Sequence, residues 1–351
     1  MEIKILLPER INGLRRTERG IYIPTKESIG NALKKLVPQL DKLPARYIEQ
    51  NNERYRVDAA RKSQRSVLLS GPTGVGKTLL VMDYAADNKL PLLNLTAHED
   101  LTDGKIRGTP DLLVVPASDE KGNVHDLRIK TFAPTHLTLA AMADVPVILF
   151  VDELHKVRSG VSSLFHSITN ERMLYCHELT GENYELHPET LVIAALNPTY
   201  GEGGIDRLDP ALRRRFRTLD LEMPTEDRLK TIIKANIGEK DYDGYKDLIE
   251  ALVSVQKEIV IALKKKDSSK SSPTTTINAK LQDPQTINSV IEAPSPSSIV
   301  NVVRDVILGT DADIAIEDEL INQIIVDFEG PKAALKTVVN DHLPAKYRKS
   351  K

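Results

Sequence analysis

A glycine-rich turn contains the first residues of this sequence whose types and spacing could do chemistry. Its eight residues end in a lysine and a threonine, and they are Gly71, Pro72, Thr73, Gly74, Val75, Gly76, Lys77 and Thr78. Glycines let backbone N–H groups converge on an anion, and a helix N-terminus adds positive potential. The lysine could then neutralise nucleotide phosphates, and the threonine hydroxyl could bind Mg²⁺. The pattern predicts a polyphosphate site; the alternative is a plain glycine turn with a surface lysine.

Two acidic residues end a second apolar segment. Asp152 and Glu153 directly follow the run from Ile148 to Val151. The carboxyl ends of parallel strands face the ligand crevice, so both acids should reach the edge that holds the glycine turn. Asp152 could hold Mg²⁺, and Glu153 could orient and deprotonate a water for in-line attack on a phosphate. The alternative is that both acids cap a helix that begins at Leu154.

Asn197 ends a third apolar segment, which runs from Leu191 to Leu196. At the same edge of the sheet, its amide could hydrogen-bond the attacking water or the γ-phosphate, and so act as a sensor. Asn before Pro is also a common turn, and that alternative stays open here.

Three successive arginines, Arg213, Arg214 and Arg215, lie at the end of a short predicted helix. Successive helical residues point about 100° apart, so the three cannot all serve one phosphate of their own subunit. At least one is free to reach the nucleotide of a neighbouring copy, where it would neutralise charge that develops on the γ-phosphate. A solvated basic helix face is the alternative.

The elements that must position these residues alternate between strands and helices. Apolar runs of strand length occupy Ser66 to Ser70, Leu90 to Leu95, Val147 to Val151, Leu191 to Leu196 and Thr218 to Met223. Segments with helical periodicity separate them, which predicts an α/β fold with a doubly wound parallel sheet. We place this nucleotide-binding core at residues 63–223, after an N-terminal arm at 1–62. Residues 224–351 predict a small helical lid with a disordered insertion at about 264–298, which is rich in Lys, Ser, Thr and Pro.

Two further segments alternate apolar and polar residues around turn-forming residues. They run from Leu112 to Lys130 and from Met173 to Leu186, and each predicts a β-hairpin. Taken alone, each could be an ordinary surface hairpin.

Composition limits the class of protein. The 351 residues are 40% hydrophobic and 28% charged with a net charge of −2, which fits a soluble globular protein and not a basic protein that coats nucleic acid. The longest apolar stretch, Val145 to Val151, is far short of the ~20 residues that cross a bilayer. The start of the chain has no apolar run of signal-peptide length. We therefore expect a cytoplasmic protein that is not inserted in a membrane.

The order of the four site elements resembles that of AAA+ ATPases, which are P-loop NTPases. The sequence is most similar to the MoxR-type group, with its relatives in Rubisco activation, gas-vesicle assembly and metal chelatases. The resemblance spans residues 66–223 and includes LTDGKIRGTPDLL at 101–113 and AALNPTYGEGGIDRLDPALRRRF at 194–216. It implies that the glycine turn is the Walker A motif, Asp152 and Glu153 are the Walker B acids and Asn197 is sensor 1. It makes Arg214 or Arg215 the arginine finger.

One position departs from the family pattern. MoxR-like lids usually begin their third helix with a second-sensor arginine, and the corresponding residue here is Ser297. Arg304 lies two helical turns further along and is the available substitute.

The resemblance implies a function as well as a fold. It implies ATP and Mg²⁺ as cofactors, a homo-oligomeric ring that is normally a hexamer, and hairpins that line its pore. It also implies a client protein that is remodelled, often one with a von Willebrand factor A domain. A nucleic-acid motor of the restriction type would need basic hairpins, whereas these carry acids: Asp119, Glu120, Glu178 and Glu182. The other alternative is a non-motor ATP-binding switch or a chelatase-type subunit.

Overall fold

The computed structural model describes residues 10–11, 13–118, 124–197, 208–267, 278–290, 292–325 and 329–348. The strands are β1 (Arg10–Ile11), β2 (Leu14–Arg16), β3 (Tyr22–Pro24), β4 (Ser66–Ser70), β5 (Leu92–Thr96), β6 (Gly108–Ser118), β7 (Val124–Pro134), β8 (Ile148–Asp152), β9 (Met173–Tyr175), β10 (Asn183–Glu185), β11 (Leu191–Leu196) and β12 (Phe216–Asp220).

Helices make up most of the remaining described residues. They are α1 (Lys26–Lys34), α2 (Glu53–Lys62), α3 (Lys77–Asp87), α4 (Asp103–Arg107), α5 (His136–Met142), α6 (Ser159–Asn170), α7 (His177–Thr180), α8 (Pro210–Arg213), α9 (Glu226–Ile237), α10 (Glu239–Gly244), α11 (Lys246–Asp267), α12 (Ala279–Gln282), α13 (Pro284–Ser289), α14 (Pro296–Ile307), α15 (Ala312–Ile316), α16 (Asn322–Ile324) and α17 (Glu329–His342). A π-helical turn, Glu317–Ile321, joins α15 to α16. Within the described ranges, none of these helices combines the length and apolar character that a membrane span requires.

The central sheet has the strand order β12-β4-β11-β8-β5, and every neighbouring pair is parallel. The predicted doubly wound α/β fold is confirmed. Strands β4 and β11 have the predicted bounds, and the bounds of the other three are shifted by one to three residues. Parallel strands end at the same edge, which brings the segments after β4, β8 and β11 together.

Helices cover both faces of this sheet, which explains why the inner strands β8 and β11 are apolar at nearly every position. Alternate residues of β8 belong to different cores: Leu149 packs with α5 and α6 residues such as Leu137 and Phe165, whereas Phe150 packs with α2 and α3 residues such as Val57. A strand buried on two faces needs an apolar residue at every position, and not only at every second one.

The N-terminal segment is more than the peripheral arm that the sequence predicted. Strands β1, β2 and β3 join β7 and β6 in a second sheet of order β1-β2-β3-β7-β6. Tyr22 and Ile23 of β3 are fully buried, and Val57 of α2 packs into the core. The apolar residues of this segment come in runs too short to show a periodicity, so only long-range pairing reveals them as strands.

Both predicted hairpins form, with differences in detail. The first is longer than predicted, because β6 and β7 pair from Gly108↔Pro134 to Ser118↔Val124. In the second, β9 and β10 pair, and the four-residue helix α7 lies between them, where the sequence predicted a strand that leads into the turn.

Helices α9–α17, in the region predicted to form the lid, pack around a core of their own, to which Leu252, Ile299 and Val338 contribute. The prediction of disorder over 264–298 is wrong for residues 264–267, 278–290 and 292–298, since they contain the end of α11, all of α12 and α13, and the start of α14. Leu281 and Val290 are buried against the lid, so a few apolar contacts order a segment whose composition is polar. Residues 268–277 lie outside the described residues.

Candidate nucleotide site

The glycine turn links the buried strand β4 to helix α3, as a phosphate-binding loop requires. Gly74 has φ +72° and Gly76, the N-cap of α3, has φ +98°. Both angles lie in the left-handed region, which glycine adopts without strain. Val75 is buried in the core beneath the loop, so this side chain anchors the turn while its backbone faces the edge of the sheet.

Lys77 is folded back onto this loop. Its Nζ donates hydrogen bonds to the carbonyl oxygens of Gly71 at 2.6 Å and Pro72 at 2.8 Å. Burial lowers the pKa of Lys77 to about 8, against the opposing charges of Asp152, Glu292 and Glu153. The ammonium group is therefore protonated at neutral pH and lies next to the loop that would bind phosphate.

Thr78 and Asp152 bring two oxygen donors together. Thr78 Oγ1 donates to Asp152 Oδ2 at 3.4 Å, which joins the start of α3 to the end of β8. Hydroxyl and carboxylate oxygens are the ligands that Mg²⁺ prefers, so these residues fit a magnesium ion bound together with phosphate.

Glu153 follows Asp152 with a left-handed backbone, φ +55°. Its amide donates to Asp152 Oδ1 at 2.9 Å. The helix expected from Leu154 is a single 3₁₀ turn, Leu154–Lys156, and the Glu153 carboxylate pairs with Lys156 at 2.5 Å. A left-handed backbone is uncommon for a residue other than glycine and is found more often at functional sites.

Asn197 directly follows β11, which lies between β4 and β8 in the sheet. Because Leu196 pairs with Ser70, Asn197 lies level with the first residue of the glycine turn. It is half-buried. The turn that was its alternative explanation involves residues 198–207, which lie outside the described residues.

The three arginines lie at the C-terminal end of α8, which ends at Arg213. Buried side chains on both sides, Leu212 and Phe216, anchor the segment. Arg213 and Arg214 are exposed, whereas Arg215 is half-buried and contacts the Nδ1 atom of His166. The segment therefore offers two arginines to solvent and holds the third against its own subunit.

Comparison with known proteins finds sequences similar to the part of the chain that contains this site. Residues 66–216 match the family model described as AAA domain (dynein-related subfamily). The chain is also similar to protein NorQ of Paracoccus denitrificans, with 30% identity over 192 residues. It is 28% identical over 172 residues to the denitrification regulatory protein NirQ of Pseudomonas aeruginosa. Residues 66–216 are thus similar to AAA domains, and the chain is similar to NorQ and NirQ over about half of its length.

These matches cover parts of the chains concerned. The NorQ match spans 55% of this chain and 65% of NorQ, and the NirQ match spans 49% and 60%. The chain thus matches less than two thirds of the length of either relative. Among solved structures, a point mutant of RuvB from Thermotoga maritima aligns with a TM-score of 0.40 and 17% identity, over 85% of this chain and 97% of RuvB.

The start of α14 contacts the glycine turn near the position where the MoxR-like pattern has an arginine. A Cβ on Gly74 would overlap the Cβ of Ser295 and lie 2.6 Å from its Oγ and 3.3 Å from Ser297 Oγ. Arg304 points elsewhere, since its Nη2 donates to the Asn236 carbonyl within the lid at 3.1 Å. The position expected for the second sensor is therefore occupied by Ser297, and the nearest side chain to Gly74 is that of Ser295.

Sequence reasoning missed two residues beside this loop. Glu292 of the lid interacts with Thr73 and Lys77; burial raises the pKa of its carboxyl, against the hydrogen bond from Thr73 and the charge of Lys77. The Tyr47 ring would lie 3.2 Å from a Cβ on Gly76, and its amide donates to Asp83 Oδ2 at 2.7 Å. One lay in the presumed disordered insertion and the other in the presumed arm, so no local pattern identified them.

The second hairpin is bound to the rest of the core through its acidic residues. Arg15 donates two hydrogen bonds, of 2.6 and 2.5 Å, to the two carboxylate oxygens of Glu182. Arg107 pairs with Glu178 and donates to the Tyr175 carbonyl at 2.7 Å. Arg15 compensates the charge of Glu182, whereas the single charge of Arg107 is shared between Glu178 and Asp103. Part of the negative charge of this hairpin therefore remains, and it still argues against a nucleic-acid ligand. Asp119 and Glu120, on the first hairpin, lie outside the described residues.

Proposed function

We propose that this chain is an ATP-hydrolysing, chaperone-type AAA+ enzyme that assembles as a hexameric ring in the cytoplasm and remodels or activates a partner protein. The observation that carries the proposal is the shared edge of the central sheet. There Lys77 and Thr78 follow β4, Asp152 and Glu153 end β8, and Asn197 follows β11. Each residue type suits one part of phosphoryl transfer to water.

Each side chain has one role in the proposed reaction. The backbone from Gly71 to Gly76 and the Lys77 ammonium group bind and neutralise the β- and γ-phosphates. Glu153 exchanges its pairing with Lys156 for the attacking water and accepts a proton from it. Asn197 hydrogen-bonds the water or the γ-phosphate. Mg²⁺, held by Thr78 and Asp152, supplies positive charge to the phosphates when it is bound.

A second copy of the chain would complete the site. Arg214 is exposed beside Arg215 at the end of α8, on a segment anchored by Leu212 and Phe216. An arginine from this segment, inserted into the nucleotide site of the neighbouring subunit, would neutralise the charge that develops on the γ-phosphate. Such residues accelerate hydrolysis by roughly 10³ to 10⁵ where they are known.

The proposed client is a protein that bears a von Willebrand factor A domain. NirQ is named for a regulatory role in denitrification, which supports an enzyme that acts on another protein over one that acts on a metabolite. A client of this kind would be held by the ATP-bound ring and released after hydrolysis.

The proposal is tested with two variants of the site. Glu153→Gln should bind ATP, stay assembled and hold its client, because the amide cannot accept the proton from water. Lys77→Ala should lose nucleotide binding and hold no client, so it is the matched control for non-specific capture. We would measure ATP turnover, nucleotide binding and co-purification from the native host. A wild-type protein that neither binds nor hydrolyses ATP, or a client held equally by both variants, contradicts the proposal.

A further inference from the structure

One histidine side chain joins helix α6 to the arginine segment after α8. His166 Nε2 lies 3.0 Å from Asp209 Oδ2, and its Nδ1 contacts an Nη atom of Arg215. The other oxygen of Asp209 accepts the Ala211 amide at 2.8 Å as the N-cap of α8. Both nitrogens of the ring are therefore engaged, and its carboxylate partner is fixed by the backbone.

The chemistry of the three groups determines where the protons are. Arginine only donates hydrogen bonds, so the Nδ1 atom of His166 must accept. The neutral ring then carries its hydrogen on Nε2 and donates it to Asp209. The Arg215 guanidinium has five N–H donors in a planar fork, so one bond to His166 orients the group and leaves the other donors available for a phosphate.

Rigid elements hold both ends of this contact. Helix α6 is anchored by Phe165 and Ile168, which are buried on either side of His166. The same helix follows Glu153 in the chain, after the Leu154–Lys156 turn. Arg215 directly precedes Phe216, whose buried side chain anchors the backbone at this position. The helix that follows the candidate water-activating residue of one subunit thus contacts the arginine that this subunit can offer to the next.

We propose that His166 is a positioning residue, which orients Arg215 for the nucleotide of the neighbouring subunit through its Nδ1 atom. This inference rests on the proposed function, because it needs an arginine that acts between subunits. It also separates the roles of the two candidate fingers: Arg215 is held in a defined direction by its own subunit, and Arg214 is not part of this contact.

Two substitutions separate the two contacts of the ring. In His166→Asn the amide oxygen can occupy the position of Nδ1 and accept from Arg215, while the contact to Asp209 is lost. In His166→Gln the longer side chain reaches Asp209 but has no acceptor at the Nδ1 position. Asn and Gln are both tolerated inside helices, so neither change should unfold α6. Ser167→Ala, on the next residue of the same helix, is the control.

We expect the two similar variants, His166→Asn and His166→Gln, to differ in their rates of ATP hydrolysis. His166→Asn and Ser167→Ala should hydrolyse ATP within about twofold of the wild type, and His166→Gln should be at least about tenfold slower, while all three bind nucleotide with unchanged affinity. Arg215→Ala should be slower by roughly 10³ or more. Adding His166→Gln to Arg215→Ala should cause no further loss, because residues that act as a unit are not additive.

Several outcomes overturn the inference. Equal rates for the Asn and Gln variants would show that the Nδ1 contact is not used, and a further loss in the double variant would show that His166 acts independently of Arg215. If Arg215→Ala hydrolyses ATP like an active wild type, His166 has nothing to position, although the proposed function stands with Arg214 as the finger. A wild type that hydrolyses no ATP contradicts the proposed function itself.

Discussion

At the scale of single residues, Lys77 shows how burial changes the pKa of a side chain. Burial lowers its pKa to about 8, and its hydrogen bonds to Gly71 and Pro72 hold it against the loop. A phosphate that binds there meets a cation with little water around it, and electrostatic attraction is stronger in such surroundings than in bulk water. Because burial lowers this pKa, Lys77 loses its positive charge at a pH that binding experiments can reach.

We predict that nucleotide affinity falls as the pH rises through about 8. Below this pH the free Lys77 is protonated and attracts phosphate; above it, binding must first return a proton to the amine. The dissociation constant should therefore increase about tenfold between about pH 7 and about pH 9. Titration with a fluorescent ATP analogue measures it. Lys77→Arg keeps its charge over this range and should show no such slope; the same slope in both proteins would contradict the assignment.

Glu292 gives a second prediction at this scale. Its carboxylate lies near Thr73 and Lys77, so it adds negative charge where phosphate would bind. Glu292→Gln should bind ATP more tightly, by roughly three- to tenfold. Asp144→Asn, an exposed acid in the loop before β8, is the control for the overall change in charge. Unchanged or weaker binding by Glu292→Gln, measured in the same titration, would show that the carboxylate does not oppose the nucleotide.

At the scale of elements, a close contact joins the glycine turn to the start of α14. Gly74 and Ser295 approach so closely that no side chain fits between them. The loop and the lid therefore form one continuous surface around the phosphate site. A change in the lid should reach the loop through this contact, without any arginine at position 297.

Gly74→Ala should disturb this contact and the loop together. A left-handed backbone costs a residue other than glycine about 1 to 2 kcal/mol, and the new methyl group would overlap Ser295. We expect a less stable protein in urea unfolding and weaker nucleotide binding. Gly30→Ala in α1 meets open space and should be neutral or stabilising by about 0.5 to 1 kcal/mol. Equal stability of Gly74→Ala and the wild type would contradict the close packing.

At the scale of the whole molecule, the proposed enzyme combines the nucleotide site of one copy with the arginine segment of the next. The site lies at the carboxyl edge of the central sheet, whereas α8 and the exposed Arg214 lie beyond β11 in the chain. In the proposed enzyme this arginine acts on the nucleotide of a neighbouring copy, so we expect the activity to depend on assembly.

Mixing two inactive variants tests this dependence. Lys77→Ala binds no nucleotide but keeps both arginines, and a variant with Arg214→Ala and Arg215→Ala keeps the nucleotide loop. Mixed rings should regain ATP hydrolysis, because a Lys77→Ala subunit can supply its arginine to an intact neighbouring site. Dilution of the wild type should lower the rate per chain. Full activity of isolated single copies, or no recovery in mixed assemblies, would contradict a shared site.

The sequence by itself determined the parts of this protein that depend on neighbours in the chain. The glycine turn and the acids at 152 and 153 were found from their spacing, because backbone conformation and strand ends are local properties. The tertiary structure alone decided which distant residues meet them. Glu292 reaches Lys77 across more than two hundred residues, and β3 completes a sheet with β7. Such contacts are determined by packing of the whole chain, and no periodicity within either segment encodes them.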